Sequence, residues 1–229
     1  MLFRSQLINI AIRDPNTGRI RPAVWGLVNA EIYYMFFKML SDVVTNFGEF
    51  EWKLQYITLD FEAGLINAVQ KVFPEVRLIG CLFHLKQALW REAQQLGLTT
   101  AACKGTSLAV ISSLGQLSWK GNDEIHQQLK KIQNIYKSSK HSKLVSYYEK
   151  NWFPRLKSGL IDYSDIEDNY TANSVLEKYN GHVKDSLPRL PNWPTFLQFL
   201  VNEEFEYSTE SQRLEKLGYN SQRSEEHTS

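Results

Sequence analysis

The chain has 229 residues, 43% of them hydrophobic, enough for one good-sized domain with a real core. Its net charge of +1 gives no global pull toward nucleic acid, so any such binding must rest on local patches. No apolar run reaches bilayer length, the N-terminus lacks the long apolar core of a signal peptide, and Cys81 and Cys103 make no disulfide framework.

The two ends read as foreign to the fold. "MLFRS" and "RSEEHTS" look like one sequencing adapter translated from opposite strands. Residues 1–5 and 223–229 are therefore set apart, and 6–222 is expected to be an internal fragment of a longer chain. "QLINIAIR" alternates in apolar character, and "DPNTG" is a turn signal. "RIRPAVWGLV" then completes an antiparallel hairpin. From Ala30 to Phe47 the apolar residues Ile32, Met35, Phe36, Met39, Leu40, Val43, Val44 and Phe47 recur at helical spacing. "LQYITLD" predicts a short strand, Glu62 to Phe73 a helix stopped by Pro74, and "EVRLIG" a further strand. Leu82 to Leu96 predicts a helix ended at Gly97.

Beyond Gly97 the pattern is helix after helix. Ser107 to Trp119 is one, a second carries Ile125, Leu129, Ile132 and Tyr136 on one face, and Leu144 to Glu149 make a further turn or two. Between Ile125 and Tyr148 stand Lys130, Lys131, Lys137, Lys140 and Lys143 with two histidines and no acid. A solvated helix face is the bland reading, and a phosphate-contacting stripe the sharper one. "SGLIDYSDIEDNY" reads as a polar loop. "TANSVLEKYNGHVKD" reads as a helix capped by Thr171 or Asn173, and the stretch from "PNWPTF" as a long final helix. The six tryptophans read as packing groups.

Two parallel strands joined by a helix set their carboxyl ends side by side, where open α/β sheets bind ligands. Asp60 ends one such strand; Cys81 follows the next, with His84 three residues on. A structural zinc site wants a second ligand pair, and Cys103, His126, His141 and His182 are scattered. A Cys/His nucleophile pair and a small buried thiol are both open for Cys81. Asp60 suits a hard divalent cation but needs partner acids; alone it reads as a turn or cap residue.

The whole pattern "LDFEAGLINAVQKVFPEVRLIGCLFHLKQALWREAQQLGL" resembles the core of the Mutator-like element (MULE) transposase domain. The upstream hairpin and aromatic-rich helix are similar to that family too. "NYTANSVLEKYNGHVK" resembles its acidic helix, with Ala172 at the first position of the family's Asn pair and Asn173 retained. The resemblance covers most of residues 6–206. It implies an α/β, ribonuclease-H-like mixed sheet with a three-acid (DDE) metal site and an all-helical insertion before the last acidic helix. The expected parts are a core at 6–97, the insertion at 98–162, and a C-terminal helical part at 163–222. By the same carry-over Asp60 is the second catalytic acid and Glu177 the third. Both would hold two Mg2+ or Mn2+ ions for DNA strand cleavage and strand transfer. Cys81 and His84 match a Cys-x-x-His motif near the site, and the five lysines are candidate DNA contacts. DNA, as element ends and target, is the implied partner, and the nucleus the implied location; homo-oligomerisation stays open. No membrane or small-molecule partner is expected.

In that family the first acid sits on a strand immediately before "QLINIAI", a place taken here by "MLFRS". Asp14 lies in the hairpin turn and Asp42 on a helix, so neither substitutes. The expectation is a fragment lacking its first strand, inactive alone and poorly stable because two interior strand edges lose their partners. The alternative is a domesticated relative that binds DNA or chromatin without cutting.

Overall fold

A computed structural model describes residues 6–13, 20–28, 32–47, 54–166, 174–188 and 192–217. The adapter-like ends, the "DPNTG" turn with Asp14, and the caps proposed at Thr171 and Asn173 lie outside the described residues. The chain divides into two compact units, one formed by 1–29 with 174–229 and the other by 30–173.

The first unit opens with strands β1 (Gln6–Arg13) and β2 (Ile20–Val28), paired antiparallel as the alternation predicts. Their register slips between Ile10 and Ala11, opposite Val24 and Pro22, leaving Ala23 as an extra residue. Pro22 has no N–H to give the ladder, and a bulge is where a strand tolerates it. Helices α8 (Ser174–Ser186) and α9 (Trp193–Lys216) complete this unit. Asn192 caps α9, its side-chain oxygen accepting the Thr195 N–H at 2.9 Å. Trp25 donates its indole N–H to the Tyr179 hydroxyl at 3.1 Å, tying β2 to α8. His182 Nε2 lies 3.1 Å from a carboxylate oxygen of the buried Glu203, tying α8 to α9.

The second unit begins with α1 (Tyr33–Phe47), followed by β3 (Tyr56–Leu59), α2 (Ala63–Val72), β4 (Arg77–Gly80) and α3 (Leu82–Gln95). Strands β3 and β4 pair in parallel, Leu59 opposite Gly80, so α2 is the crossover of a β-α-β unit. Helix α1 carries more apolar surface than it buries. Tyr33, Phe36 and Phe37 are buried, whereas Met35, Met39 and Val43, four residues apart, are exposed. Periodicity shows that a helix has an apolar stripe; it does not say which of two adjacent stripes meets a neighbour. Helix α3 buries Leu85, Leu89 and Ala93 along one stripe. It ends at Gly97, whose φ of 69° only glycine adopts freely. The Leu98 N–H then reaches the Ala93 carbonyl at 2.8 Å and the Gly97 N–H the Gln94 carbonyl at 3.0 Å, a Schellman closure.

After it come α4 (Ala101–Gln116), a 3-10 turn at Leu117–Trp119, α5 (Asn122–Tyr136), α6 (Ser142–Asn151) and α7 (Phe153–Lys157). Helix α4 starts six residues earlier than the apolar pattern suggests. Its first turn, Ala101 to Lys104, is largely exposed, so no buried stripe announces it. One core runs through α3 to α7 and takes in Ile79 of β4. Within it the Ser107 hydroxyl donates to the Leu98 carbonyl at 2.7 Å, so its only proton is used. His141 Nε2, 3.0 Å away, must therefore be the donor to Ser107.

The segment after α7, read above as a polar loop, is a second departure. Ile161, Tyr163 and Ile166 are buried in the same core. The Gly80 N–H donates to the Leu160 carbonyl at 2.6 Å, and the Tyr163 hydroxyl to the Gly80 carbonyl at 2.6 Å. Every second residue, 161 and 163, turns inward, while Ser164 and Asp165 face solvent. A turn-rich run with so few apolar residues looks polar on average. No described helix is long and apolar enough to cross a membrane.

Candidate active site

The site begins where β3 and β4 end together. The Cys81 N–H donates to the Leu59 carbonyl at 2.8 Å, so Asp60 and Cys81 are the first residues past two locked strand ends. Each residue of the turn Asp60-Phe61-Glu62 is fastened to a different element. Asp60 Oδ1 accepts the Glu62 N–H at 3.1 Å, bracing the entry to α2. Among the described residues, its Oδ2 has no hydrogen-bond partner. Phe61 packs edge-on to Trp152 of α6–α7, with ring centroids 4.7 Å apart, and lies over Gly80. Both Glu62 carboxylate oxygens lie 3.0 Å from the Tyr33 hydroxyl, which donates from α1.

The Tyr33 phenol has a measurable titration. Burial, then the bond to Glu62 and the charges of Glu62 and Asp60, push the Tyr33 phenol up to about 12. A phenol held neutral by the fold contributes fully below the unfolded value, ~10, and loses that contribution as pH rises through the folded one. The stability lead of the native chain over Tyr33→Phe should stay constant below about pH 10 and shrink toward pH 12. Denaturation at a series of pH values measures it; a lead that is flat across that window contradicts the assignment.

Asp60 and Glu62 were not equally legible. Asp60 was marked by its strand end, whereas Glu62 reads as an ordinary first-turn acid. The signal for it was spacing, two carboxylates flanking an aromatic at a strand end. Cys81 is fully buried at the start of α3 and His84 is half-buried one turn on. The five lysines of α5, α6 and the turn between them are all exposed. Glu177 lies on α8, in the other unit, and its side chain is outside the described residues. Asp60 and Glu62 are hard oxygen donors of the kind magnesium takes. Among the described residues, no group of three or more His, Cys, Asp or Glu side chains is placed to hold a metal ion. Two carboxylates alone fall short of the roughly six oxygen donors such an ion takes, so the rest of the set would have to come from other residues or water.

An acid past the end of β3, the β-α-β unit behind it and a Cys-x-x-His turn past β4 are what the sequence resemblance asks for. Residues 3–88 match the MULE transposase domain. The match runs from the hairpin to the first half of α3. Asp60, Glu62, Cys81 and His84 fall inside it; Glu177 and the five lysines lie beyond. Neither the curated proteins nor the solved structures gave a match.

Proposed function

We propose that the chain is part of a DDE-type DNA transposase, in which Asp60 and Glu177 are the second and third acids of a divalent-metal site on a ribonuclease-H-like core. The observation that carries this reading is the position of Asp60. It stands within the MULE-matched residues, past a strand end locked to its neighbour, with one carboxylate oxygen used and the other free among the described residues. The catalytic core would comprise 6–97 and 163–222, with 98–162 as its helical insertion.

Divalent ions, when bound, would stabilise the attacking and leaving oxygens of a phosphoryl transfer. What the chain supplies is placement. Asp60 is held by the turn into α2, and Glu62 is oriented by a phenol that stays neutral at physiological pH. Cys81, with its N–H on Leu59, fixes the strand end rather than presenting a thiol to solvent. The exposed Lys130, Lys131, Lys137, Lys140 and Lys143 would take DNA phosphates, a contact that positions without reading sequence. The nucleus is the compartment in which such a protein meets its substrate.

Mn2+ titration followed by electron paramagnetic resonance tests the shared site. Asp60→Asn and Glu177→Gln should each weaken the same tight binding event by about tenfold or more. If either variant binds Mn2+ as the native chain does, the two acids do not share an ion.

A further inference from the structure

We propose that Arg155 is an anion-binding residue of the site, taking a backbone phosphate of the DNA beside Asp60 and Glu62; this rests on the DNA reading above. The guanidinium carbon lies 5.2 Å from the centroid of Phe61 and 4.9 Å from that of Trp152. Those rings are themselves in edge contact, and Trp152 is buried. Phe61 is the residue between Asp60 and Glu62, so the ring that packs on Gly80 also joins the guanidinium to the turn that carries the two acids. The backbone under Arg155 is fixed as well. Its carbonyl accepts the Leu160 N–H and the Ser158 hydroxyl, both at 3.0 Å.

The two rings stand at 79° to each other, so the guanidinium can lie flat on only one of them, and the N–H donors not turned toward the other ring form an edge that matches phosphate oxygens two at a time. Arg155 is half-buried, and among the described residues it has no carboxylate partner. Arg77 shows the contrast: it spends its guanidinium on Asp165 and the Asp162 carbonyl. Electrostatics supply the need. Two carboxylates at one strand end repel a phosphate, and a cation held at the next side chain offsets that repulsion where the strand must lie. Arg155 comes from the stretch read as an insertion, which thereby contributes to the site as well as to the core.

The experiment follows the Arg155 Nε–H resonance in the arginine-labelled chain, assigned by its loss in Arg155→Lys, during titration with a short DNA duplex and separately with inorganic phosphate. Binding should move that resonance in both titrations. For Arg155→Gln, the slope of log affinity against log salt should fall by about 0.9, the value of one phosphate contact. Arg155→Lys should keep the slope. A duplex that binds with the resonance unmoved and the Arg155→Gln slope unchanged overturns the assignment and leaves the DNA reading standing. A duplex that does not bind sinks the DNA reading. In that event a shift with inorganic phosphate alone upholds the anion site, and no shift overturns it. Thermal melts of both variants separate misfolding from lost contact.

Discussion

Tyr163→Ala is expected to destabilise the second unit by about 3–5 kcal/mol, the range for deleting a buried aromatic side chain. Tyr163 is fully buried, tilted against Trp119 with centroids 5.4 Å apart, and tied at both ends. Its N–H donates to the Ser118 carbonyl at 2.6 Å and its hydroxyl to the Gly80 carbonyl at 2.6 Å. Burial pushes its phenol far above the ordinary tyrosine value, so the hydroxyl stays a donor across the working pH range. Tyr163→Phe isolates that bond. It leaves a carbonyl short of a buried donor, a loss of about 1–2 kcal/mol. Equilibrium denaturation reads both. A Phe variant as stable as the native chain, with an Ala variant less than about 1 kcal/mol down, would show that the segment lies on the surface as its composition suggests.

Gly80→Ala is the second large effect, at about 1–3 kcal/mol from overpacking. A Cβ there would sit 2.4 Å and 2.8 Å from two ring atoms of Phe61 and 3.0 Å from a methyl of Ile161. The ring cannot yield alone, because Trp152 and Arg155 also pack against it. The strain therefore passes to the turn that carries Asp60. Phe61→Ala in the same chain removes the obstacle, so the double variant should lose less than the sum of the two singles. Additive losses would mean that Phe61 is not seated on Gly80.

The elements around the site were legible because each has a strong local cause. The hairpin alternates, Pro74 stops α2, Gly97 closes α3, and β3 and β4 are short runs bounded by turns. Asp60, Cys81 and His84 could be placed because strand ends are visible in sequence. What stayed hidden depends on contacts between segments far apart in the chain. Nothing local says that Tyr163 reaches Gly80, 83 residues back, or that Tyr33 donates to Glu62. The same holds for Arg155, whose partners Phe61 and Trp152 are joined only by the fold. On α1 the limit is different. Met35, Met39 and Val43 share the spacing of core residues, but burial depends on which side of the helix meets a neighbour. Lys130 to Lys143 illustrate a third case, since exposure alone is common to a solvated face and a phosphate stripe.

The ion proposed to be shared by Asp60 and Glu177 is open to a direct cleavage test. Fe2+ substituted into the chain, with ascorbate and peroxide, cuts the polypeptide backbone beside whatever holds the ion. An ion held by both acids should give fragments ending near residue 60 and near residue 177 in the same reaction, both lost in Asp60→Asn. Cutting at one position without the other, or at neither, contradicts it.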